Sequence, residues 1–294
     1  LKPLVLLFLS LLVACQTPNY EDSFFLTEHL PGDQPLPFNS SLVPEHSIIH
    51  RGVFSNDLEQ YYMAISDTAY SNFTVLVSNR QYGEWAEPSA AFFNSEYSEH
   101  GMSFSPNGET LLFSSTRPVR QEGIPDTWHL WMSKKTNGQW TEPSFIDVPN
   151  LRNKLLSHPS LAPDGTLYFH ASELDYSNMG LYYAEWKDGQ YQPAQKIEFT
   201  TLKEMALCTP YLSANGDYLI FATVGTSLDL YSSKSTGLNQ WSAPVKLSSA
   251  INQNGQGNPY LIPDMKQLFF ASDDSKYWNV KWVSTQSFID LQHD

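Results

Sequence analysis

The chain has 294 residues, with 17 Lys and Arg against 31 Asp and Glu for a formal net charge of −14. An acidic excess of that size argues against nucleic acid or an anionic membrane surface as the main partner, because both require basic side chains to neutralise them. The acids are scattered, and 41% hydrophobic with 14% aromatic residues describes a solvated surface over a β-rich globular core.

In chain order the first element is an address. "LKPLVLLFLSLLVACQTPNY" places Lys2 before an apolar run, Leu4 to Val13, that is too short to span a bilayer and reads as an export signal. Its end, Leu12-Val13-Ala14-Cys15, resembles the bacterial lipobox. That resemblance implies a lipoprotein signal peptide over 1–14, lipidation of Cys15 and a tether over 15–35 ahead of the remaining domain, 36–294. The alternative is a plain secretory peptide with an incidental Cys15. More than one acyl chain on Cys15 would satisfy the requirement for stable anchoring. Gln16, rather than Asp, favours the outer membrane of a Gram-negative envelope, facing the periplasm. The only other cysteine is Cys208, so acylation of Cys15 leaves no disulfide partner, and Cys208 is expected to be an inert, semi-buried thiol.

Downstream the sequence repeats. Aligned on the apolar residue before a tight turn, the units begin their reversals at Phe54, Phe104, Leu161, Leu212 and Leu261, at intervals of 50, 57, 51 and 49 residues. Turns such as Ser-Pro-Asn-Gly (105–108) and Ala-Pro-Asp-Gly (162–165) preset the first position with Pro and supply positive φ with Gly, so each unit opens with a hairpin. The first and fifth units lack that glycine, which predicts looser turns there. A third strand follows ("FTVLVSN", "HLWMSKK", "GLYYAEW", "LDLYSSK", "WNVKWVS"). Then comes an aromatic at Trp85, Trp140, Tyr191 or Trp241, with Pro88, Pro143, Pro193 or Pro244 just beyond. Proline belongs on an edge strand, so this is the outer strand of a four-stranded antiparallel unit, a propeller blade.

The fifth unit ends without an outer strand, whereas Pro37 precedes Phe54 by 17 residues, within the 16 to 19 that separate each edge proline from the next unit. The economical solution is an all-β, five-bladed propeller closed by the N-terminal strand "LPFNSSLV" (36–43). The alternative, six blades, needs about 50 residues that residues 16–35 do not supply. The repeated turns, "FSSTRP" (113–118), the Trp-x-x-Pro step and the final "WNVKWVSTQSFI" together resemble the TolB-like, WD40-like propeller-repeat proteins of bacterial envelopes over residues 36–290. The resemblance implies the fold. It implies no particular role, since TolB has six blades and an additional domain, and family members are usually binding or scaffold modules.

Propellers carry ligands at one mouth of the central channel, where each outer strand leads into the next inner strand. The pairs entering the inner strands are His50-Arg51, His100-Gly101, Ser157-His158, Cys208-Thr209 and Gly257-Asn258. Histidine coordinates metals, shuttles protons and donates to sugar hydroxyls. His50, Arg51, His100, His158, Thr209 and Asn258 are therefore candidate ligand-binding residues, against the alternative of a hydrated, unoccupied funnel. No cofactor or metal is expected, with His100 and His158 as weak metal candidates. Arg117, in the loop "STRPVRQEGIPDT", is a candidate for a carboxylate ligand or for a blade-to-blade ion pair. The recurrent Trp85, Trp140 and Trp241 read as packing between blades.

No nucleophile elbow, zinc-protease motif or phosphate-binding glycine loop occurs. Glu45, Glu99, Glu173 and Glu204 fall near the mouth, but surface glutamates ordinarily do. Two functions follow from the sequence. One is a monomeric, non-enzymatic envelope lipoprotein that binds a protein, peptide or glycan and meets the membrane through Cys15. The other is a carbohydrate-active hydrolase or lyase working in the funnel.

Overall fold

The computed structural model describes residues 30–38, 42–273 and 278–289. The lipobox cysteine Cys15 and the signal segment 1–14 lie outside them, as does the 15–29 part of the tether. Five antiparallel blades form a ring, as expected. Blade 1 takes Ile48–Phe54, Gln60–Ser66, Phe73–Gln81 and Ser89–Ala90 from inside to outside. Blade 2 takes Glu99–Phe104, Thr110–Ser115, His129–Thr136 and Ser144–Phe145. Blade 3 takes Leu155–Leu161, Leu167–Ser172, Gly180–Ala184 and Gln195–Lys196. Blade 4 takes Ala206–Leu212, Tyr218–Val224, Leu228–Gly237 and Val245–Lys246. Blade 5 takes Gln256–Leu261, Gln267–Ser272 and Asn279–Ser284, and its outer strand is Leu36–Pro37.

The second strand of each blade is sandwiched between neighbouring blades on both faces, which is why it reads as an unbroken apolar run. Leu111-Leu112-Phe113 and Leu219-Ile220-Phe221 are wholly buried. The aromatic step forms only a two-residue ladder with the tip of the third strand, as in Trp140 opposite Lys135. The residues beyond the proline make the outer strand proper, so the proline marks the break between two short pairings.

The turns of blades 1 and 5 are not looser than the others. Leu58 and Met265 occupy the glycine position with φ of 59° and 61°, and each donates the same closing hydrogen bond, Leu58 N–H to Ser55 O at 2.9 Å and Met265 N–H to Ile262 O at 2.8 Å. A non-glycine residue in this region is strained, and burial of both side chains offsets the strain.

Closure of the ring rests on blade 5. Leu36 pairs with Trp282 and Pro37 with Lys281, and Phe38 seats its ring edge-on among Phe54, Tyr61, Phe269 and Trp282 at centroid distances of 5.0 to 5.7 Å. Inner strands are further tied across every junction. Asn56 donates to Pro106 O, Ser103 to Pro159 O, Leu212 N–H to Ser160 Oγ, Tyr211 to Leu261 O and Tyr260 to Phe54 O. On the hairpin-turn face Phe54, Phe104, Leu161 and Leu212 converge and leave about 10 Å³ of free space, no more than one water occupies. The channel is thus nearly filled at that end, whereas His50, His100, Thr209 and Asn258 at the other are partly exposed.

Candidate functional site

The open end is built by bulges. After His100, Ser157, Cys208 and Gly257 the ladder between first and second strands slips, so that two residues face one. The first extra residue has positive φ in each case: Gly101 at 63°, His158 at 56°, Thr209 at 46° and Asn258 at 53°. In three blades a proline follows (Pro159, Pro210, Pro259), which lacks a ladder donor and bars the preceding residue from the right-handed helical region. In blade 1 the slip falls at His50, between Ile49 and Arg51. The same irregularity thus recurs in all five blades where the inner strand begins. A β-branched residue at positive φ, Thr209, is a genuine conformational outlier, and such strain concentrates at functional sites. Gly101 is required for a different reason: a Cβ there would lie 3.0 Å from Ser114 Oγ and 3.3 Å from His158 Cα.

Three imidazoles meet. His100 and His158 stand edge to face at 4.8 Å, and His158 stacks on His170 at 5.1 Å and 27°. Ser157 Oγ lies 3.0 Å from His158 Nδ1 and 3.4 Å from His100 Nε2, and it donates to Ser114 Oγ at 3.0 Å. The amides of successive blades lock the layer. His158 N–H donates to Ser114 Oγ, Thr209 N–H to His170 Nδ1 at 3.2 Å and Asn258 N–H to Thr209 Oγ1 at 3.3 Å. Because His170 Nδ1 accepts, its proton sits on Nε2. His50 stands apart, hydrogen-bonded to Ser66 Oγ at 2.7 Å and separated from His100 by the ring of Phe73.

Burial holds His50 down at about 4 and His170 at about 3, because desolvation disfavours the charged form. Burial also holds His100 and His158 well below the usual imidazole value, reinforced by His170 and Arg51 beside both. The Asn258 carboxamide opposes the shift of His158, although its Oδ1 makes no bond of hydrogen-bonding geometry among the described residues. The four imidazoles are therefore neutral at pH 7.

The charge of the funnel belongs to Arg51. Its side chain is 1% exposed, and Nε, Nη1 and Nη2 are all without a hydrogen-bond partner among the described residues. The guanidinium lies over the Tyr211 ring at 5.6 Å. Desolvation lowers its pKa to about 10, against the opposing influence of Tyr211 and Tyr260, which leaves it protonated.

Arg117 is placed elsewhere and is fully engaged. It binds Glu99 Oε1 at 2.9 Å, Phe93 O at 2.6 Å and Ser115 Oγ at 3.0 Å, and rests between the rings of Phe113 and Trp131. The pair lies within blade 2, since Glu99 opens its inner strand, and the same Glu99 is wholly buried. Burial pushes the Cys208 thiol up to about 12, so it is not a nucleophile. Among the described residues no group of three or more His, Cys, Asp or Glu is placed to hold a metal ion. Of the recurrent tryptophans, Trp241 meets Tyr168 of the preceding blade and Trp140 stacks on Phe92 of the link between blades 1 and 2.

Sequence reasoning missed His170, Phe73 and Trp128. His170 had a signal: it is the polar residue in "TLYFHAS", at a register where blades 4 and 5 carry Ala222 and Ala271. Phe73 and Trp128 lie at the start of third strands, whose approach to the axis no repeat alignment displays. A separate groove of about 270 Å³, lined by Met179, Lys196, Phe199, Met205 and Leu207, lies between blades 3 and 4.

No protein-family model matches the chain, and no curated protein matches its sequence. Solved structures do share the fold. TolB from Acinetobacter baumannii superposes with a TM-score of 0.50 at 14% identity, over 83% of this chain and 53% of that one; this chain thus spans about half of that protein's length. A TolB-type protein from Agrobacterium tumefaciens gives 0.50 at 12%, over 87% and 86%. A glycoside hydrolase gives 0.54 at 9%, over 90% and 94%. At such identities the likeness establishes a TolB-like propeller architecture, which binding proteins and enzymes share. No helix among the described residues is long and apolar enough to cross a membrane.

Proposed function

We propose that the chain is a non-enzymatic, ligand-binding propeller of a bacterial envelope, tethered as a lipoprotein through Cys15 to the outer membrane and facing the periplasm. The observation that carries this reading is the make-up of the open mouth. His50, Phe73, His100 and Trp128 are all partly exposed and form one continuous set of ring contacts: His50 to Phe73 at 4.9 Å, Phe73 to His100 at 5.4 Å, and His100 to Trp128 at 4.1 Å. Exposed Tyr70 extends it beside His50 at 5.5 Å. Flat, neutral faces of this kind stack on a sugar ring or a peptide side chain at little entropic cost. Glycoside hydrolysis instead needs two carboxylates across the scissile bond. Among the described residues no carboxylate hydrogen-bonds to these rings, Glu99 is committed to Arg117, and Glu173 to Lys154.

The test is a glycan and peptide binding screen on the detergent-solubilised full chain, followed by Trp128→Ala and, for the tether, Cys15→Ser. The expected result is a ligand whose affinity falls at least tenfold on loss of the Trp128 ring, and movement of the Cys15→Ser protein to the soluble fraction. Turnover of a glycan, or binding indifferent to Trp128, overturns the mouth as a binding platform; retention of Cys15→Ser in the membrane overturns the tether.

A further inference from the structure

We infer that the floor of the funnel is a binding site for a single carboxylate group, held by the guanidinium of Arg51. The inference deepens the reading of the mouth as a ligand platform. An arginine cannot relieve its burial by giving up its proton, so a guanidinium at 1% exposure has to meet a counter-charge or bear several kcal/mol of desolvation. Every other buried charge of note here has met one: Glu99 holds Arg117. Arg51 has three nitrogens and no acceptor among the described residues. Its surroundings are a ring face of Tyr211, the phenol of Tyr260, and the imidazoles of His100 and His158. The phenols are already spent on the ring of inter-blade bonds, Tyr211 on Leu261 O and Tyr260 on Phe54 O. The counter-charge must come from outside the described chain.

The class of anion follows from the charge and shape of the site. The imidazoles around it are neutral, so the floor carries one positive charge and matches a monoanion better than a phosphate dianion. The guanidinium fork is planar and pairs with a planar carboxylate through two parallel bonds. Only one end of the channel admits it. Phe54, Phe104, Leu161 and Leu212 close the turn side, whereas Thr209 and Asn258 on the opposite side are partly exposed. A ligand stacked on Trp128 and His100 would therefore lower its carboxylate toward Arg51 past Asn258, the bulge residue of the adjoining blade 5, which like Arg51 acts on His158. Asn258 Oδ1 makes no bond of hydrogen-bonding geometry among the described residues, so turning that carboxamide aside gives up only its influence on His158.

The experiment titrates the full chain with sodium acetate, with sodium chloride at matched ionic strength as control and sodium phosphate as the competing class, by calorimetry and by melting temperature. Acetate is expected to bind saturably and, at about a hundred times its Kd, to raise Tm by roughly 5–10 °C. Two variants locate the effect. Arg51→Met removes the cation, and Asn258→Asp supplies a carboxylate from the neighbouring blade; both are expected to abolish the acetate response. Should Arg51→Met not fold, Asn258→Asp carries the test alone. No acetate-specific response in the parent, a stronger response to phosphate, or a response surviving in Asn258→Asp overturns the inference. Failure of the Trp128 screen with acetate binding intact would remove the platform and leave the Arg51 site standing.

Discussion

Two buried arginines, one in blade 2 and one on the channel axis, show how differently this fold treats the same charge. Arg117 is 14% exposed in its side chain and well matched: Glu99, Ser115 and the Phe93 carbonyl accept from its Nε and Nη2, and Phe113 and Trp131 take its faces. Arg51 is more deeply buried, with one tyrosine ring and no acceptor among the described residues. A matched buried pair is structural, because removing one partner strands the other. An unmatched buried charge works against folding.

The widest separation between the two comes from removing each in turn. Arg117→Ala leaves Glu99 buried and uncompensated, so urea unfolding should show a loss of about 3–5 kcal/mol. A loss under about 1 kcal/mol would mean that Ser95 and Ser115, which also donate to Glu99, satisfy it unaided. Arg51→Met should move the other way in carboxylate-free buffer, with a gain of about 1–4 kcal/mol, as when buried ionic groups give way to apolar ones of similar size. Marked destabilisation would show that the stem of Arg51 packs the axis and that its charge is incidental.

The imidazoles sharpen the comparison through pH. In the folded state they lie well below the unfolded value of about 6.5, His170 at about 3 and His50 at about 4. The unfolded chain therefore binds more protons between those limits, and the stability present above pH 6.5 is lost as pH falls toward 3. For a buried histidine the slope is about 1.4 kcal/mol per pH unit. His170→Asn keeps an acceptor for Thr209 N–H and removes one titrating group, so its Tm should fall less steeply below pH 6. An acid limb as steep as the parent's would mean that His170 is protonated in the folded state.

The fold was legible because a propeller writes itself in local chemistry. Pro and Gly at 106 and 108, or 163 and 165, specify a hairpin from within four residues, and the edge prolines recur at a constant distance from the next unit. Even ring closure was written, in the spacing of Pro37. Leu58 and Met265 mark the limit of that logic. Sequence predicts a looser turn where Gly is absent, but buried packing of the two side chains holds the left-handed conformation all the same.

The funnel was legible in part. Pairing each inner strand on its repeat brought His100, His158, Arg51, Thr209 and Asn258 to one end, and the dipeptides His158-Pro159, Thr209-Pro210 and Asn258-Pro259 were available as bulge signals. His170 entered from a second strand, where only its polarity among apolar neighbours betrayed it. Arg117 and Arg51 were indistinguishable as letters. What separated them was whether a carboxylate stood within 3 Å, and that depends on residues brought together from different strands. Periodicity and turn chemistry are local, so the sequence by itself determined the ring, its number of blades and the strand that closes it. Charge matching and the protonation of buried imidazoles are set by neighbours far apart in the chain, so only the tertiary structure decided which arginine is paired with a carboxylate and which has no acceptor among the described residues.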